Sequence, residues 1–262
     1  MIYADYNGSA PLCQDVREYL IERIQNGPYA NPNSIHAMGT KTLMGMENAR
    51  AVCAKVLGAD YNQVIFNSGA TEGITTVFHS LLDGAKEVGK DVFITGSIEH
   101  SAIINLGQKY QELGFTWLTL PVGADGIFKI DTLKQMLEEY KGRVAMVSAM
   151  AANNETGIIQ PFEEMAKVCQ SFDTKYFCDT TQYIGKTLYN FKESGADYAV
   201  TSGHKFGALT GCGLLLAKDS TTIKPIIIGG GQEKGLRGGT QNYIANETMA
   251  VALKYFENNL NK

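Results

Sequence analysis

Short apolar runs alternate with longer helix-like stretches along most of the chain. Runs over 64–66, 92–95, 116–120, 144–148, 175–178 and 196–201 are rich in β-branched or other apolar residues and are bounded by small or polar ones, which predicts buried strands. Between them lie segments of helical character, one running from the Gly69 turn to 82 and others over about 100–113, 131–140 and 161–171. Strand then helix, repeated, predicts an α/β fold with a mostly parallel central sheet flanked by helices. Runs over 214–217 and 225–228 read as the last strands, and 243–258 as a closing helix. Ahead of this series the pattern predicts a short strand over 2–5, a turn at 7–11, a helix over about 15–25 and a long helix over about 35–57 ended by Gly58. The break at 26–34 is too rich in Asn, Pro and Gly for regular structure; it reads either as a linker or as the wall of a site. No internal repeat, low-complexity tract or domain boundary interrupts the 262 residues.

Composition narrows the class. With 44% hydrophobic and 19% charged residues the chain can bury a full core, and a formal net charge of −4 without a basic run predicts neither a nucleic-acid footprint nor a membrane patch. Five cysteines without a CxxC pair argue against a disulfide framework and against a zinc knuckle, so a reducing, cytoplasmic setting fits best. The first residues lack the basic and apolar regions of a signal peptide, and no run approaches the length of a membrane span.

Candidate chemistry gathers where the predicted strands end. Lys205 falls just past the 196–201 run, and open α/β sheets bind ligands at that edge. Among apolar and glycine residues its amine is poorly solvated, which favours the neutral form and makes it a candidate for imine formation with a carbonyl cofactor; an exposed strand-end lysine is the plainer reading. Nucleotide binding is disfavoured: no GxGxxG opens a helix, and Gly185-Lys186-Thr187 lacks the first glycine of a P-loop because Thr180 stands there. Gly69-Ala70-Thr71-Glu72, between strand and helix, can hold a phosphate on free backbone N–H groups and the Thr71 hydroxyl, or can be a plain threonine N-cap. Asp179 and Gln182 reach the same sheet edge as Lys205. A buried carboxylate needs a cationic partner, and a pyridinium N–H is one. His100 could stack on such a ring, and Asn153-Asn154-Glu155-Thr156-Gly157 could supply amide contacts, although a surface histidine and an ordinary loop account for them equally.

Taken together, Gly69-Ala70-Thr71-Glu72, Glu99-His100, Asn153-Asn154-Glu155-Thr156-Gly157, Asp179-Thr180-Thr181-Gln182, Ser202-Gly203-His204-Lys205 and the Gly-rich run from Gly229 to Thr240 resemble, in order, the cysteine desulfurases of the class V aminotransferase group. With Asn31-Pro32-Asn33-Ser34-Ile35-His36 the resemblance covers almost the whole chain. It implies the large domain of a fold-type I pyridoxal phosphate enzyme over 1–262, with an N-terminal segment to about 35. By the same match Lys205 carries the cofactor and acts in catalysis with His100, which stacks on the ring, and Asp179 meets the pyridine nitrogen. Gln182 is implied at the ring hydroxyl, Ala70, Thr71, Ser202 and His204 around the phosphate, and Asn154 at cofactor and substrate carboxylate. Thr240 is implied at the phosphate of a second subunit, hence a homodimer, and Arg237 as an ordering residue of the Gly-rich run. No metal is implied. The implied reaction takes L-cysteine to L-alanine and leaves an enzyme persulfide, with a sulfur-acceptor protein and iron–sulfur cluster assembly as its setting.

The departures matter too. The family continues into a small C-terminal domain with the nucleophilic cysteine loop and a carboxylate-binding arginine, whereas this sequence stops at Lys262, and none of Cys13, Cys53, Cys169, Cys178 and Cys212 matches the nucleophile. The expected readings are therefore a desulfurase-like enzyme incomplete in this chain, a dimeric pyridoxal phosphate-binding scaffold without turnover, or a selenocysteine lyase or other class V lyase.

Overall fold

The computed structural model describes residues 2–260; the outermost positions of the predicted 1–262 domain lie outside them. Seven strands form one sheet in the order β1-β7-β6-β5-β4-β2-β3. These are β1 (Val64–Asn67), β2 (Val92–Gly96), β3 (Thr116–Leu120), β4 (Val144–Met150), β5 (Lys175–Asp179), β6 (Tyr198–Ser202) and β7 (Gly213–Ala217). Strands β3, β2, β4, β5 and β6 run parallel, and β7 lies antiparallel between β6 and β1. The middle of the sheet has no solvated face: every residue of β4, Val-Ala-Met-Val-Ser-Ala-Met, is buried, as expected of a parallel strand covered on both sides.

The covering layers follow from the apolar faces of the helices. One face carries α3 (Ala70–Leu82) and α4 (Ser101–Glu112), with Ile74, Val77, Phe78, Ile103 and Tyr110 against Phe93, Met146 and Leu215. The other carries α2 (Ala37–Val56), α5 (Ile130–Glu139), α6 (Phe162–Ser171) and α8 (Tyr243–Asn259), with Met46, Cys53, Leu133, Met165 and Met249 in its core. Helix α1 (Gln14–Asn26) joins the second layer, where buried Arg23 donates to Glu247 of α8 at 2.8 Å and Tyr19 donates to the same carboxylate at 2.6 Å. A buried arginine is tolerated there because that carboxylate matches it. A short α7 (Phe191–Ser194), absent from the sequence reading, sits in the turn-rich crossover before β6.

Two predicted strands do not form. Residues 2–5 and 225–228 have no regular structure. Ile2 is 95% exposed and Ile228 88% exposed, so their apolar character never meets a neighbouring strand. Thr71 is not an N-cap either: Gly69 caps α3, and Thr71 stands in its exposed first turn.

From β2 the chain moves outward to β3, then returns across β2 to β4 and continues the other way to β5 and β6. The strand order therefore reverses between β2 and β4, and the crevice past their carboxyl ends is where such a sheet binds ligands.

Candidate active site

At that crevice lies a pocket of about 570 Å³, walled by the ends of β4, β5 and β6, the start of α3 and the N-terminal turn Asp5, Asn7 and Gly8. Ala70, Thr71, His100, Asn154, Asp179, Gln182, Ser202, His204 and Lys205 all line it. Thr240 does not line it and is exposed elsewhere.

Lys205 stands on a 3₁₀ turn, Gly203–Phe206, directly after β6. The turn closes on Gly207 at φ 77°, where a Cβ would approach Cys13 N at 3.0 Å and Pro11 O at 3.1 Å; glycine supplies both the left-handed backbone and the space. The N-terminal segment is stitched along this turn by Ala10 N–H donating to His204 O at 2.8 Å and Cys13 N–H donating to Gly207 O at 3.0 Å. It thereby brings two carbonyls to the lysine, whose Nζ donates to Asn7 O at 2.7 Å and Gly8 O at 3.0 Å. Burial lowers the proton affinity of Lys205, and Asp179 and Asp5 offset part of that. His204 is also held low by burial and by the Lys205 charge.

Asp179 ends β5 beside the end of β6. Its Oδ1 accepts from Thr181 N–H at 2.9 Å, and its backbone O accepts from Ala151 N–H at 2.9 Å. Burial raises its pKa; the Thr181 N–H and the Lys205 charge pull in the other direction. His100 is the N-cap of α4, and its Nδ1 accepts from Ala102 N–H at 3.1 Å. In the neutral ring the remaining hydrogen then sits on Nε2. On the β4 side Asn153 is structural, its Oδ1 accepting from Glu155 N–H and Thr156 N–H, whereas Asn154 reaches the pocket wall.

At the other end of the pocket, α3 begins at Gly69, with φ 153°, and its first-turn N–H groups have no carbonyl partner within the helix. A Cβ on Gly69 would sit 3.4 Å from Ser202 Oγ, and a Cβ on Gly213 would come within 2.6 Å of Gly69 Cα. The cradle is thus backbone held close to backbone, open to an anion. Glu72 does not spoil it, because its carboxylate accepts from Ser68 N–H at 2.9 Å and Arg237 Nε at 2.9 Å. Burial raises the Glu72 pKa, but these donors outweigh it and hold the carboxyl below its ordinary value.

These groups fit pyridoxal phosphate: an anion cradle of free N–H groups, a buried carboxylate for a ring N–H, and an amine of lowered proton affinity. The orphaned, buried Oγ1 of Thr181 on the same wall is a further polar atom awaiting a partner. Thr181 reads in the sequence only as part of the Asp179–Gln182 motif, with no role of its own, and the Asp5, Asn7 and Gly8 turn is not assigned to the site there. The signal for that turn is only the density of turn formers over 5–11, to which distance along the chain gives no destination.

Fold and pocket together define a sheet-edge site of the aminotransferase type. The model of the class V aminotransferase family matches residues 2–262, and the chain belongs to that family of pyridoxal phosphate-dependent proteins. It is 34% identical over 253 residues to the cysteine desulfurase IscS of Dictyoglomus turgidum, an alignment covering 97% of this chain and 63% of that protein. A solved NifS-like protein superposes with a TM-score of 0.94 at 34% identity over 99% of this chain and 70% of that one. The structure of SspA in complex with cysteine superposes with a TM-score of 0.89 at 28% identity, over 100% of this chain and 78% of that one. The chain thus spans somewhat less than two thirds of that curated relative's length.

None of the five cysteines lines the pocket. Burial pushes the thiols of Cys53 and Cys212 up to about 12 and raises those of Cys13, Cys169 and Cys178. All are therefore protonated at neutral pH. Among the described residues no group of three or more His, Cys, Asp or Glu is placed to hold a metal, and no helix is long and apolar enough to cross a membrane.

Proposed function

We propose that this chain is the cofactor-binding part of a cysteine desulfurase-like enzyme acting on L-cysteine as a homodimer. The observation that carries the reading is the convergence of Lys205 and Asp179, from the ends of adjacent strands, on one pocket with a phosphate-type cradle at its far side. The similarity to cysteine desulfurases supports the substrate class.

Pyridoxal phosphate, when bound, supplies an aldehyde for an amine and a ring that accepts the electron pair released at Cα. The chain's own residues have separate tasks. The α3 N–H groups, Thr71, Ser202 and His204 hold the phosphate; Asp179 keeps a proton on the ring nitrogen; His100 covers the ring face. Lys205, freed from the Asn7 and Gly8 carbonyls, removes the proton at the substrate Cα. Asn154 orients the substrate carboxylate.

The second reading, a cofactor-holding scaffold without turnover, is favoured for these 262 residues alone by the absence of any cysteine from the pocket wall. Sulfur transfer needs a thiolate against the substrate sulfur, and protonated thiols away from the pocket do not provide one. Two measurements test both readings. Reduction of the loaded protein with borohydride is expected to fix the pyridoxyl group on Lys205, and Lys205→Ala to abolish the yellow colour; label on another lysine overturns the assignment. With L-cysteine the chain is expected to change its absorbance without sustained alanine release and without a persulfide on any of its five cysteines. Steady alanine production abolished by replacing one of them would identify an unforeseen nucleophile.

A further inference from the structure

Gln182 is held at both ends of its amide. Its Oε1 accepts from Lys186 Nζ at 2.6 Å, and its Nε2 donates to Asn7 O at 3.0 Å. A side-chain amide can be turned over by half a rotation, exchanging acceptor and donor at little steric cost. The Asn7 carbonyl, which only accepts, opposes that turn at one end of the amide, and Lys186 opposes it at the other. An ammonium group has donors and no acceptor, so a reversed Gln182 would point N–H at N–H. The half-buried Lys186 lies outside the pocket wall, whereas Gln182 is part of it. Of the two hydrogens on Gln182 Nε2, one is taken by Asn7 O, which also accepts from Lys205 Nζ at 2.7 Å, and the other remains for the pocket.

We propose that Lys186 is a positioning residue that fixes the Gln182 amide with its NH₂ toward the pocket, so that the site presents a donor, never an acceptor, to the ring hydroxyl oxygen of the cofactor. The inference rests on the cofactor reading above, in which Gln182 faces that oxygen. It makes the polarity of one wall the property of a residue that touches neither cofactor nor substrate. Burial and the neighbouring Lys205 lower the Lys186 pKa to about 8, so at neutral pH most Lys186 side chains are ammonium ions.

The test uses non-covalent ligands and the cofactor-free protein: pyridoxamine 5′-phosphate and its analogue lacking the ring hydroxyl, each titrated at neutral pH. Lys186→Met is expected to weaken pyridoxamine phosphate binding roughly five- to tenfold, the worth of one hydrogen bond, and to leave the deoxy analogue unchanged. Lys186→Arg, also donor-only, is expected to keep the wild-type ratio of the two affinities. Equal weakening of both ligands in Lys186→Met would show a merely structural lysine and overturn the inference, as would an unchanged ratio. Wild-type protein that binds neither ligand would instead overturn the cofactor reading, and this inference with it.

Discussion

Glu99, next to His100, is buried, and no cation pairs with it among the described residues. Its Oε1 accepts from Met150 N–H at 2.8 Å, tying down the end of β4, while Oε2 has no hydrogen-bond partner. Burial, reinforced by the Asp179 charge, raises its pKa well above the ordinary glutamate value, so the folded protein keeps a proton there to higher pH than the unfolded chain does. The folded state then binds more protons than the unfolded one, and stability falls as pH rises above the ordinary glutamate range. Glu99→Gln is expected to flatten that slope and to gain on wild type as pH is raised from 5 toward 8 in denaturant titrations. Parallel curves for the two proteins would mean that Glu99 is ionised in the fold. At this scale the sequence was readable only in part. Lys205 and Asp179 announced themselves by ending apolar runs, but nothing along the chain distinguishes Asp179, where Thr181 and Lys205 offset part of the effect of burial, from Glu99, where the neighbouring Asp179 charge adds to it. That difference is made by burial and by which neighbour is nearest, both products of the fold.

Among the elements, the Gly-rich segment over 229–240 depends most on contacts with other parts of the chain. It has no strand partner and is held by side chains: Arg237 on Glu72 of α3, Glu233 on Arg50 of α2, and Lys234, which donates to Asn62. Glu233 sits in the left-handed region at φ 48°, its carboxylate accepting from Arg50 Nη1 at 2.7 Å, Arg50 Nη2 at 2.8 Å and Phe66 N–H at 3.0 Å. Both side chains of the pair are buried, at 5% and 1% exposure. Glu233→Ala would leave the guanidinium with only Glu47 and the Val64 carbonyl. A loss of roughly 3 kcal/mol is expected in chemical denaturation, the lower end for breaking a buried pair from one side. A loss below about 1 kcal/mol, the value of a surface pair, would mean the segment is anchored elsewhere. Elements of the sheet were legible because buried parallel strands need continuous apolar runs, as at Val144–Met150. The 225–228 run has the same look and no strand: Ile228 is 88% exposed, and the Ile227 carbonyl accepts from Gly238 N–H of the Gly-rich run rather than from a sheet edge. The antiparallel direction of β7 went unread although the chain carried its sign: residues 203–212 between β6 and β7 are too few for a helical crossover, so the strand must return antiparallel.

On the scale of the whole molecule, the proposed homodimer gives exposed Thr240 a task. It would reach the phosphate cradle of the partner subunit rather than its own. In heterodimers of a Thr240→Ala chain with a Lys205→Ala chain, the intact Lys205 lies in the subunit whose partner supplies the normal threonine, so one tight cofactor site per dimer is expected. Loss of that site would show that Thr240 serves its own subunit. The placement of β1 has a consequence for biosynthesis. This strand pairs only with β7, through Val64 to Leu216 and Asn67 to Gly213, about 150 residues further along. At about 5–20 residues per second, the apolar Val64-Ile65-Phe66 segment leaves the ribosome and waits roughly 8–30 s for its neighbour to be made. During that interval the nascent protein carries an unpaired, sticky strand, and chaperone occupancy on translating ribosomes should peak after β1 emerges and drop once β7 has cleared the exit tunnel.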